Sequence, residues 1–155
     1  MVARWSDELL IPLLPAYLTL RHFLFFFELL EDAWAARGGP SGAVAHAGRM
    51  SVEHALLSVL AHQGYTNQNR RWLVAFAHEA IDLRARATVA RCARLLFPAA
   101  HETRHDEAAY LGEVASLGGE MYHLYRGDAE LRRGMEYLRS RIHYVDPEDD
   151  SHVAD

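Results

Sequence analysis

The residues whose types and spacing best suit chemistry are His101, Glu102 and His105. In His101-Glu102-Thr103-Arg104-His105 the two imidazoles stand at i and i+4, on one face of a helix. Both can reach one cation there, with Glu102 as general base to a metal-bound water. That is the spacing of a metal-dependent helical hydrolase. Against it, Pro98 lies just upstream, the segment is polar, and no third ligand is predictable. A solvated charged helix accounts for the same residues, so no metal, no cofactor and no catalytic residue is assigned.

Other candidates lead less far. His78, Glu79 and Asp82 can tune one another's pKa if they are buried, but a polar helix edge explains them equally. Cys92 lies in an Ala, Arg and Leu stretch that suits a small packing side chain better than a nucleophile. The sequence has no Gly-rich phosphate cradle and no Ser or Cys beside a base. A non-enzymatic protein is expected. Tyr122, Tyr125, Tyr137 and Tyr144 alternate with Arg126, Arg132, Arg133, Arg139 and Arg141, as an RNA-stacking surface would. The net charge of -5 makes core tyrosines and local salt links the better account.

These side chains must be positioned by helices. The chain has 155 residues, half of them apolar and 24% charged, which fits one domain with a real core. All 16 basic residues are Arg, and the acidic balance argues against nucleic acid as a partner. A single cysteine forms no internal disulfide, which favours a cytoplasmic location. The apolar stretch from Leu9 to Leu30 is divided by Pro12, Pro15, Arg21, His22 and Glu28 into pieces too short to span a bilayer, and no membrane anchor is expected.

Alternating strand patterns are nearly absent, and the fold class is all-α: a single-domain bundle of seven or eight helices around a buried central helix. The domain is expected over residues 1–145, followed by an acidic flexible tail over 146–155. Ser6 caps a short first helix that Pro12 and Pro15 disturb. A second helix, about Ala16 to Ala36, carries Leu20, Phe23, Leu24, Phe27, Leu30 and Trp34 on one face, and a Gly, Ala and Ser loop runs on to Arg49. Ser51 caps a third helix, with Val52, Ala55, Leu56, Val59 and Leu60 at i, i+3, i+4, i+7 and i+8 and Gly64 as its stop. A helix from about Gln68 to Phe97 is the buried one, with a bend or break near Ala87 and Pro98 at its end. His101 to Ser116 forms a polar helix ending at Gly118-Gly119, with a brief turn Glu120 to Tyr125 after it. Asp128 caps the last helix, with a seam of Leu131, Met135, Leu138 and Ile142.

From Met50 onward this order resembles the B-cell lymphoma two (Bcl) family of apoptosis regulators. Val52 to Gly64 looks like the family's amphipathic helix before its first motif, Asn-Trp-Gly-Arg. Here the chain reads Asn67-Gln68-Asn69-Arg70 and then Arg71-Trp72-Leu73-Val74-Ala75-Phe76, so that Asn and Arg match. Gly118-Gly119 resembles the second motif's Gly-Gly-Trp turn, with Glu120 in place of Trp. Phe27 to Asp32 fits the spacing of the third motif, with Glu31 where a small residue is usual.

The resemblance implies a divergent, viral-type soluble member that acts in the host cytoplasm. Such a protein inhibits apoptosis by holding the amphipathic death-motif helix of a pro-apoptotic partner in an apolar groove. Leu56, Val59, Leu60, Leu73 and Val74 would line that groove, Arg70 would pair with the ligand's Asp, and Asn67 would hydrogen-bond beside it. A homodimer through the groove face is compatible with this reading. The alternatives are the His101, Glu102 and His105 hydrolase and a generic helical interaction module.

Overall fold

The computed structural model describes residues 14–40, 42–65, 83–96 and 106–139. These residues form five α-helices and no strand: α1 Leu14–Ala35, α2 Ala43–His62, α3 Leu83–Leu96, α4 Glu107–Tyr125 and α5 Ala129–Arg139. The helix expected at Ser6, the stretch from Gln68 to Asp82, the His101 to His105 segment and the tail 146–155 lie outside the described residues. None of the described helices is long and apolar enough to cross a membrane.

In α1, Pro15 falls in the first turn, where no backbone N–H is needed. Phe23, Phe26, Phe27, Leu30 and Ala33 are buried. Trp34, expected on this apolar face, is instead 36% exposed, and the Arg37 guanidinium lies 4.7 Å from its ring centroid. It stands in the last turn of α1, where Ala33 rather than Trp34 is the fully buried side chain.

The principal packing is between α1 and α2. They run antiparallel, since Ser51 Oγ donates to the Phe26 carbonyl at 2.8 Å and Ser58 Oγ to the Thr19 carbonyl at 2.7 Å. The expectation of a loop to Arg49 and a cap at Ser51 is corrected: α2 begins at Ala43. Gly42 turns the chain at φ 86, and Ala43, Ala45 and Ala47 are strong helix formers. Ser51 is buried in mid-helix, and its hydroxyl joins α2 to α1 rather than capping anything. The helix ends where expected. Tyr65 N–H donates to the Leu60 carbonyl and Gly64 N–H to that of Ala61, a Schellman ending that needs the left-handed φ of 94 at Gly64.

The break expected as one alternative near Ala87 is not found, because α3 runs unbroken through it. Ala85, Val89, Cys92 and Leu95 face the core, and no Gly or Pro interrupts them. Arg91 and Arg94 pair with Glu120 and Glu113 of α4 at 2.9 and 3.1 Å. These half-exposed links orient the helices and contribute little stability.

Asp106 caps α4 by accepting the Ala109 N–H at 2.8 Å. The helix does not stop at Gly118-Gly119, and the separate turn over Glu120 to Tyr125 is part of it. Both glycines are buried, and a Cβ on Gly118 would stand 2.7 Å from Phe27 Cζ. The missing side chain lets the Phe27 ring lie against the α4 backbone. The cap of α5 is as expected: Asp128 Oδ1 accepts from Glu130 and Leu131 N–H at 2.9 and 3.3 Å. Leu131 and Met135 are buried, Leu138 packs on the core edge, and Ile142 lies outside the described residues.

Candidate partner-binding groove

An apolar groove of about 490 Å³ runs between α1 and α5. Its α1 wall is Tyr17, Leu20, Arg21, Leu24 and Phe25, the i, i+3, i+4, i+7 and i+8 positions of one helical face. Its α5 wall is Gly134, Tyr137 and Leu138. Gly134 sets the depth: Leu20 lies against its backbone in the space a Cβ would take. Tyr17 and Tyr137, 54% and 59% exposed, form the rim, while Leu20, Leu24 and Leu138 pack onto the core beneath.

One cation stands in this lining. The Arg21 guanidinium lies 5.4 Å from the Phe25 ring centroid, which holds the charge beside apolar surface. The combination suits an amphipathic helix that brings apolar side chains at helical spacing and a carboxylate to fix its register. Anchoring by aromatic and Arg residues is the usual basis of tight protein contacts.

Of the residues expected from sequence to line a groove, Leu56, Val59 and Leu60 fall within the described helices. Leu56 and Val59 are fully buried and Leu60 is 4% exposed, so in this arrangement they are core packing residues of α2. Asn67, Arg70, Leu73 and Val74 lie outside the described residues, as do His78, Glu79, Asp82, His101, Glu102 and His105. Among the described residues, no three His, Cys, Asp or Glu side chains are placed to hold a metal ion. Cys92 is wholly buried, and burial, with the nearby Glu120 charge adding to it, pushes its thiol up to about 12. It is a poor nucleophile.

Sequence reading missed Tyr17, Arg21, Phe25 and Gly134. The α1 stripe from Tyr17 to Phe25 is a signal for the first three, but it adjoins the stripe of Phe23, Phe27 and Leu30 that fills the core; Gly134 on α5 has no such signal. No family model matches the chain, and neither does any curated protein or solved structure.

Proposed function

We propose that this protein is a non-enzymatic, Bcl-like binding protein that restrains apoptosis by holding the amphipathic death-motif helix of a pro-apoptotic partner. The observation that carries the reading is the α1 and α5 groove with Arg21 as the cation in its lining. The all-helical fold of the described residues and the sequence likeness from Met50 to Arg141 support the same conclusion. Tyr17, Leu20, Leu24 and Tyr137 take the apolar face of the incoming helix, and Arg21 pairs with its carboxylate. Arg70 and Asn67 serve the same ligand if the family's own groove is the one used.

Calorimetric titration with a panel of synthetic death-motif helices tests this. At least one peptide is expected to bind at micromolar concentration or tighter. Arg21→Glu, with circular dichroism unchanged, is expected to weaken it by roughly tenfold or more, about 1.4 kcal/mol. Arg70→Glu distinguishes the two grooves. Binding by unrelated amphipathic helices but by no death-motif peptide would make the protein a different interaction module, and binding by neither would end the proposal.

A further inference from the structure

The joint between α1 and α2 contains a polar contact that the groove does not use. His22 Nδ1 lies 2.9 Å from His54 Nδ1, with ring centroids 5.1 Å apart, and His22 is 5% exposed. A ring nitrogen donates when it carries a proton and accepts when it does not. This contact therefore needs one proton between two Nδ1 atoms. It is satisfied by two neutral rings of opposite tautomer and by one neutral and one cationic ring. Two cationic rings would set N–H against N–H at 2.9 Å in a part-buried contact, His22 buried and His54 half-buried, which is unfavourable for both charges.

The surroundings bear on the second proton. On α1, Phe25 lies 5.4 Å from the His54 ring, with the Arg21 guanidinium on Phe25. On α2, Glu53 precedes His54, and His62 lies two turns further on with its ring 4.8 Å from that of Tyr125 on α4. From α5, Tyr137 completes the groove wall that Arg21 and Phe25 share.

We infer that His22 and His54 form a one-proton joint between α1 and α2, which ties the helices together at neutral pH and opens when both imidazoles are protonated. The sign follows from linkage. Below about pH 6.5 the unfolded chain protonates both rings, while the folded joint accommodates one proton, so stability falls with falling pH. One pH unit below that value the second proton lowers the folding equilibrium constant roughly tenfold.

Urea unfolding at about pH 7.5 and about pH 5.5 tests this on the wild type, His54→Asn and His22→Asn. An Asn amide offers a donor or an acceptor near the Nδ1 position and does not titrate. Each variant is expected to recover roughly the tenfold acid loss shown by the wild type. An equal acid loss in wild type and both variants would overturn the inference. Ring-nitrogen magnetic resonance on the wild type keeps it falsifiable even if a variant fails to fold. One proton taken up by the pair before unfolding supports the joint, and two taken up with the fold intact refute it. Stabilisation by zinc that is lost in either variant would also overturn it, in favour of a metal site.

Discussion

Tyr125 donates its hydroxyl proton to Ser58 Oγ across 2.7 Å of the core. The direction is fixed because Ser58 already uses its own proton on the Thr19 carbonyl. Three helices meet in this chain of two bonds, α4 through Tyr125, α2 through Ser58 and α1 through Thr19. The two ends respond differently to deletion. Tyr125→Phe removes a donor and leaves Ser58 bonded to Thr19, so about 1 kcal/mol of stability is expected to be lost. Ser58→Ala strands a fully buried phenol hydroxyl, and about 1–3 kcal/mol is expected. Urea unfolding of both variants checks the order, and a larger loss for Tyr125→Phe would contradict the assigned direction.

Burial of weak acids makes the fold sensitive to alkali. Cys92 is raised by burial from 9.0 to about 12, Tyr110 by burial from 10.0 to about 12, and Tyr125 is raised further by burial. The unfolded chain releases these protons first. The stability they contribute is therefore complete below about pH 9 and is lost as pH rises from there through the folded values. Cys92 alone accounts for about 1.4 kcal/mol one pH unit above its unfolded value. Chemical unfolding between pH 8 and 11 is expected to show a falling midpoint, and Cys92→Ala is expected to remove the earliest part of the fall. A midpoint flat to about pH 11 would contradict this.

Thiol labelling gives a second reading of the same residue. A wholly buried thiol with this raised value presents almost no thiolate to a disulfide reagent near neutral pH. Modification of Cys92 is expected to follow unfolding rather than direct attack, so its rate should rise steeply with urea. A rapid reaction independent of denaturant would place the thiol at the surface.

What the sequence makes legible is set by what each signal depends on. The stripe from Val52 to Leu60 and the stop at Gly64 depend on local periodicity and one backbone angle, and both are found as read. The cap at Asp128 is equally local. Ser51 and Gly118 mislead for the opposite reason, since each looks like a helix boundary until its tertiary neighbour is known. Ser51 is held in mid-helix by the Phe26 carbonyl, and Gly118 by the Phe27 ring. The groove is harder still to read. Its walls come from helices at opposite ends of the described chain, and Leu20 meets α5 in the space a Cβ on Gly134 would take.

The glycines of α4 offer the sharpest test of that account. Gly112 and Gly118 occupy the same helix, so exchanging either for Ala brings the same gain in helix propensity, about 1 kcal/mol. Their surroundings differ. A Cβ at Gly112 meets nothing within 4 Å, whereas one at Gly118 would stand 2.7 and 2.9 Å from Phe27 Cζ and Cε1 and 3.3 Å from Phe26 Cε1. Those rings are themselves buried and packed edge to face, with centroids 4.9 Å apart, so neither can swing aside freely. Overpacking of this kind typically costs about 1–3 kcal/mol and outweighs the propensity gain. Gly112→Ala is expected to raise the thermal midpoint and Gly118→Ala to lower it. The discriminating variant is Gly118→Ala combined with Phe27→Leu, which removes the clashing ring edge and should recover part of the loss. If Gly118→Ala instead stabilises as much as Gly112→Ala does, Gly118 does not face Phe27, and the continuous α4 gives way to the Gly-Gly turn that the sequence suggests.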